Sequence, residues 1–277
     1  MLILLTNDDG IFSPGLAAMA NALQTLGEVW VVAPAAEQSG VACSITFRMP
    51  LLAKEVHANG IRLGFAVEGS PVDCVKFGMA EILKAKPDLV VSGINNGLNT
   101  GINVLYSGTL AGAFEGAARG VPSFAVSISH EASLKAARFQ KGAEIALELI
   151  EKLLARGFYP GGVYNINIPA AAIDSPPPRE VCVVPVDRHT YWQKYEHVLD
   201  PLGRSTWWLG ETPLFDQPEN ETDMGIVSQG KIAVSPLTVD STRFDILKQM
   251  QSETLQSDTP CRCTCNDNTP AIRMIRK

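Results

Sequence analysis

Five short aliphatic runs, separated by polar loops and segments that are mostly of helical periodicity, constrain the fold of this chain more than anything else in it. They are Leu-Ile-Leu-Leu-Thr at 2–6, Val-Trp-Val-Val-Ala at 29–33, Asp-Leu-Val-Val-Ser at 88–92, the run at 122–128, and Val-Tyr-Asn-Ile-Asn-Ile at 163–168. A strand covered on both faces reads as a continuous apolar run, whereas a half-exposed strand alternates. Parallel neighbours need a crossover of a dozen or more residues, and the intervening segments supply it. Ser13-Pro14 is a cap followed by proline at the first helical position, opening a helix over 15–26. Ser70-Pro71-Val72-Asp73 has capping-box form and opens a helix to about Lys84. Further helices are predicted from Thr109 to Arg119 and over roughly 132–156. Two more strands, 51–56 and 61–67, follow a Ser/Gly-rich stretch at 38–46. This order implies an α/β fold with a doubly wound, mostly parallel sheet.

The pattern changes at Pro169. Prolines cluster at 176–178, and short β-like pieces surround an aromatic hairpin region with Tyr191-Trp192 and Trp207-Trp208. An isolated hairpin is marginally stable in water, so large aromatics there imply docking on another surface, such as another subunit. A helix is expected from about Thr242 to Gln256. The division expected is a catalytic core over 1–170, a β-hairpin region with a C-terminal helix over 171–257 that returns to the core at about 222–240, and a disordered tail over 258–277.

Lys and Arg total 23 against 29 Asp and Glu, a formal charge of −6, without a basic stripe in the first two hundred residues. Long nucleic acid, which calls for such a stripe, is therefore not an expected partner. A single phosphate needs only a local pocket, particularly where a metal ion supplies positive charge. The opening apolar run spans five residues without a basic flank, and no run reaches the roughly 20 apolar residues of a membrane span. No membrane association is expected, and the expected location is cytoplasmic. Cys43, Cys74 and Cys182 stand singly, and Cys261, Cys263 and Cys265 alternate in the tail without a second cluster to complete four ligands. No disulfide framework is expected of such a chain.

In open parallel sheets, ligands bind outside the carboxyl ends of the strands. Three polar segments leave such ends: Asn7-Asp8-Asp9-Gly10, Gln38-Ser39-Gly40, and the loop Gly93-Ile94-Asn95-Asn96-Gly97. Two carboxylates, a hydroxyl and an amide suit a hard cation such as Mg²⁺ or Mn²⁺. Adjacent acids without a basic neighbour repel, and a cation resolves the repulsion. Asp-Asp-Gly is equally a common turn, with Asp8 and Asp9 capping the helix at Ser13, so the pair alone decides nothing. Ser107-Gly108-Thr109 begins a helix with glycines at 108, 112, 116 and 120. That stripe lets the helix approach the sheet, and its first N–H groups form an anion site. Phosphate-monoester hydrolysis demands accelerations up to on the order of 10²¹. A helix dipole contributes about 0.3–1 kcal/mol at an exposed site, so a metal is the effect the barrier calls for.

Taken together, TNDDG, APAAEQSG followed by SIT, GSPVDCV, SGINNGLNTG, YSGTLAGAFEG and ETDMGIVSQGKIAVSPL resemble the SurE survival-protein family across roughly residues 1–240. The resemblance implies a Rossmann-like, three-layer α/β/α core. It also implies a divalent-metal nucleotidase acting on nucleoside 5'- and 3'-monophosphates, and in some members on short polyphosphate. By match to the family's motifs, one Mg²⁺ or Mn²⁺ per subunit is held by Asp8, Asp9, Ser39 and Asn95. Asp8 and Asp9 also carry the catalysis, while Asn96, Ser107, Gly108 and Thr109 line the phosphate site. The hairpin and C-terminal helix are exchanged between subunits in this family, implying a homodimer or homotetramer. Gln38 departs from the basic or small polar residue of many relatives.

Two rivals remain at this point. A haloacid-dehalogenase-like phosphatase shares the strand and Asp-rich loop but uses Asp-x-Asp. A non-catalytic nucleotide sensor would bind without turnover. His130 ends the run Val-Ser-Ile-Ser-His and reads as a surface or hydrogen-bonded residue, Asp73 as a helix cap, and Glu115 as either structural or loop-orienting.

Overall fold

The computed structural model describes residues 1–130, 135–188, 192–214 and 219–252. The first half runs β1 (Leu2–Thr6), α1 (Pro14–Leu23), β2 (Glu28–Pro34), β3 (Ala53–Ala58), β4 (Ile61–Val67), α2 (Pro71–Phe77) and β5 (Leu89–Asn96). It continues with α3 (Gly108–Ala118), β6 (Ser123–Ile128), α4 (Ala136–Ala155) and β7 (Gly162–Ile168). The remainder is α5 (Ala170–Asp174), β8 (Val181–Val183), β9 (Trp192–Leu199), β10 (Ser205–Leu214), α6 (Asp223–Ser228), β11 (Ile232–Thr238) and α7 (Phe244–Ser252).

Nine strands form one sheet in the order β3-β4-β2-β1-β5-β6-β7-β11-β8. From β4 to β7 every neighbour is parallel, while β3 and β11 run antiparallel to β4 and β7. The continuous apolar runs have the expected cause, since β6 is buried along its whole length. Alternation within β1 divides the layers. Ile3 and Leu5 pack with Leu16 and Met19 of α1 and Phe139 and Ile150 of α4. Leu4 points the other way, toward Cys74 and Val75 of α2. Leu110, Ala113 and Ala117 of α3 cover Ala125 and Val163 on that second face. The result is the three-layer α/β/α arrangement, with β9 and β10 as a separate antiparallel hairpin. Among the described residues, no helix is long and apolar enough to cross a membrane.

Helix starts follow local chemistry. Ser13 accepts from the Leu16 N–H at 3.2 Å, and Ser70 and Asp73 cap each other reciprocally at 3.1 and 3.0 Å. Asp73 also accepts from Thr46, so its carboxylate is fully engaged as a structural anchor.

The structure departs from the expected pattern at four places. Gly93 to Asn96 belong to β5 rather than to a loop, because β6 keeps pairing past a register shift, with Asn95 opposite Ser127 and Asn96 opposite Ile128. Gly and Asn are disfavoured in strands, which is why the segment reads as a loop; a bulge beside a site is where such residues serve. The helix opened at Ser70 gives way after Phe77 to a π-helical turn, Gly78–Ile82. The stripe on α3 is shorter than its spacing suggests. A Cβ at Gly112 would stand 2.9 Å from Thr6 and one at Gly116 2.6 Å from Ser123, whereas Gly120 has φ +70 and ends the helix. Beyond Pro169, β8 is one of the expected short β pieces, whereas α5 and α6 have no counterpart in the expected pattern. Of the helix expected over 242–256, α7 covers Phe244–Ser252 and the rest lies outside the described residues, as does the tail.

Candidate metal and phosphate site

The turn after β1 is held by residues other than its acids. Asn7 Nδ2 donates to Gly10 O at 3.1 Å and to Ser13 Oγ at 2.8 Å, and Ser13 caps α1. The Gln38 N–H donates to Asp8 O at 2.7 Å and the Ile11 N–H to Pro34 O at 2.8 Å, joining this turn to the end of β2. Asn7 and Ser13 thus do the work of turn and cap. The carboxylates of Asp8 and Asp9 remain for the cleft.

That cleft, about 720 Å³, lies outside the carboxyl ends of β1, β2 and β5, and its walls include Asp8, Asp9, Ser39, Asn95, Asn96 and Ser107. Gly108 and Thr109 are buried directly behind Asp8. The Asn96 N–H approaches Asp9 Oδ2 at 3.4 Å. Asn95 donates its Nδ2 to Gly97 O at 2.7 Å, which leaves the amide oxygen as the free end. Ser39 donates its hydroxyl to Glu37 at 2.7 Å, keeping lone pairs available. Ser107 Oγ accepts from the Leu110 N–H at 3.1 Å, so its own proton is free to be donated.

The electrostatics are those of an unneutralised acid pair. Among the described residues neither Asp8 nor Asp9 has a basic partner. Burial raises the Asp8 carboxyl above its ordinary range, opposed by hydrogen bonds from Thr109. Burial, and then the Asp8 charge, push Asp9 up to about 6. Among the described residues no three His, Cys, Asp or Glu side chains gather into one group. Two carboxylates with an amide oxygen and a hydroxyl fit a hard divalent cation that retains water ligands.

Several cleft residues were not singled out from the sequence: Phe12, Glu37, Asn99, Asn103 and Tyr106. His130, read as a surface or hydrogen-bonded residue, lies exposed on the rim with Nδ1 3.3 Å from Asn96 O. Glu37 and Asn99 lie inside APAAEQSG and SGINNGLNTG, so the motifs contained them without marking their tasks.

Comparison with known proteins shows the family. The family model "Survival protein SurE" matches residues 3–193. The chain is 47% identical to the 5'-nucleotidase SurE of Rhodopirellula baltica over 257 residues, covering 92% of this chain and all of that one. It is 41% identical to the 5'-nucleotidase SurE of Moorella thermoacetica, covering 90% and 95%. The crystal structure of the SurE protein from Aquifex aeolicus superposes with a TM-score of 0.77 at 35% identity, covering 92% of this chain and all of that one. Sequence similarity over nearly the whole length and a shared overall fold place the chain in the SurE family of survival proteins.

Proposed function

We propose that this protein is a nucleotidase that hydrolyses nucleoside 5'- and 3'-monophosphates, and short polyphosphate as a further substrate, using one divalent cation, Mg²⁺ or Mn²⁺. The observation that carries the reading is the acid pair, Asp8 buried and Asp9 half-buried, without a basic partner among the described residues and sharing one cleft with Ser39, Asn95 and Ser107. The nucleotidase names of its relatives support the same substrate class.

Asp8, Asp9, Ser39 and Asn95 are the proposed cation ligands. When bound, a divalent cation neutralises the acid pair, polarises a phosphoryl oxygen and lowers the pKa of water. Asn96 and the Ser107 hydroxyl hold the remaining phosphoryl oxygens. The Gly108 N–H, at the first position of α3, is the proposed helix-start donor to the same anion. Water attacks phosphorus opposite the nucleoside oxygen, one carboxylate of the pair accepts its proton, and the nucleoside leaves with a proton from solvent.

The adjacent acids disfavour a haloacid-dehalogenase-like route, which requires an aspartyl phosphate on Asp-x-Asp. A non-catalytic sensor would bind nucleotide without turnover. Hydrolysis of AMP and p-nitrophenyl phosphate, with and without EDTA, by the wild type and Asp8→Asn tests the assignment. Loss of activity in both the variant and the chelated enzyme is expected; full activity in either overturns it.

We also propose a homodimer or homotetramer assembled through the hairpin and C-terminal helix. Support comes from the hairpin's aromatics Tyr195, Trp207 and Trp208, each more than half exposed.

A further inference from the structure

Behind Asp8 a line of buried amides and hydroxyls crosses the sheet, and it assigns a task to Thr109 different from the phosphate contact that the family resemblance implies. Thr109 is 0% exposed, and its Oγ1 donates to Asp8 Oδ1 at 2.6 Å. A threonine hydroxyl carries one proton, and that proton is committed to Asp8, so this buried side chain offers the cleft no donor.

The hydroxyl is also prevented from turning. Asn99 Nδ2 approaches Thr109 Oγ1 from the other side at 3.4 Å while donating to Ser127 Oγ at 2.9 Å. An N–H donor on that side occupies a lone pair of the threonine and leaves its proton pointing at Asp8. Asn99 is fixed in turn by β7: its N–H donates to Asn167 Oδ1 at 2.8 Å, and its carbonyl accepts from Asn165 at 2.8 Å and Asn167 at 3.1 Å. Asn165 and Asn167 are both 0% exposed. In this dry environment each bond is stronger than in water and each loss more damaging.

We infer that Thr109, oriented by Asn99, is a positioning residue that holds the carboxylate of Asp8 in its metal-binding orientation and takes no part in binding phosphate. This rests on the proposed metal site. With Oδ1 tied to Thr109, Asp8 keeps one orientation and presents its other oxygen. Residues that orient a metal ligand typically govern affinity by about 10–100-fold.

The test compares direct Mn²⁺ binding, read from the electron paramagnetic resonance of free Mn²⁺, with AMP kinetics at saturating Mn²⁺. Thr109→Val is expected to weaken Mn²⁺ binding by about 10–100-fold while leaving the KM for AMP within about twofold of wild type. Thr109→Ser, which restores the donor, is expected to return the Mn²⁺ Kd to within about threefold of wild type. If Thr109→Val does not fold, Thr109→Ala removes the same donor under the same criterion. An unchanged Mn²⁺ Kd in the valine or alanine variant, or a raised KM with unchanged Kd, overturns the assignment. Wild type that binds Mn²⁺ without hydrolysing AMP overturns the nucleotidase reading alone, and the Kd comparison still decides Thr109. Wild type that takes up no Mn²⁺ overturns both.

Discussion

A Cβ at position 108 would stand 2.8 Å from the Cβ of Asp8 and 3.0 Å from its Oδ2, so α3 begins in contact with the acid pair because residue 108 is glycine. Gly108→Ala must displace either the helix start or the carboxylate. Misplacement by about 1 Å at a reacting centre costs on the order of 100-fold in rate, and overpacking destabilises by about 1–3 kcal/mol. Steady-state kinetics on AMP and urea denaturation of the variant should show both effects. Lowered stability with wild-type kinetics would remove Asp8 from the reaction.

Asp9, pushed up to about 6 by burial and then by the charge of Asp8, makes cation binding dependent on pH. Protons and cation compete for the same oxygens, so Mg²⁺ affinity should fall about tenfold per pH unit below about 6. For the metal-free fold the sign is opposite. A raised folded-state pKa means that the contribution of Asp9 to stability is present below its ordinary value of 3.8 and lost as pH rises through about 6. Thermal melts from pH 5 to 7.5 should show a Mg²⁺-induced rise in Tm that is large at the upper end and small at the lower. Asp9→Asn should abolish that trend, and an equal rise at both ends for the wild type would refute it.

Asp223 ties the cleft to the base of the hairpin. It is 0% exposed and accepts from the N–H groups of Gly101 at 3.0 Å, Asp187 at 2.9 Å and Met224 at 2.8 Å. Asp223→Ala strands three backbone donors, each worth about 1–3 kcal/mol when left unsatisfied. A fall in Tm on the order of 10 °C is expected, since 1 kcal/mol corresponds to about 2–4 °C in a domain of this size. A change within about 2 °C would show that water replaces the carboxylate without penalty.

Trp207 and Trp208 are 62% and 68% exposed, and Trp207 leans on His197 with ring centroids 4.6 Å apart. If the hairpin is the assembly element, Trp208→Ser should shift sedimentation toward smaller species without altering the circular dichroism of the core. Unchanged sedimentation would place the interface elsewhere.

Much of the architecture was legible because its causes are local or strictly periodic. Burial on both faces demands continuous apolar runs, so β1, β2, β6 and β7 could be read directly. Ser13 and Ser70 cap their helices within three residues, a range at which sequence speaks plainly. The end of β5 could not be read this way, because its pairing with β6 overrides the poor strand propensity of Gly93, Asn95 and Asn96. Gly120 looked like a fourth member of the helix stripe, and only its positive φ marks it as the helix terminus.

The sequence by itself determined which polar groups stand at the strand ends: the acid pair after the first strand, the polar segments that follow, and the serine and glycine opening α3. Tertiary structure alone decided what each of them faces. Thr109 and Asp8 are separated by 101 positions, and Asn99 and Asn167 by 68. Their hydrogen bonds exist because β1, β5, β6 and β7 lie side by side in a particular order. Strand order is settled by the packing of the whole core, and no local pattern encodes it. The motif placed Thr109 beside the phosphate; the sheet turned its hydroxyl toward the acid.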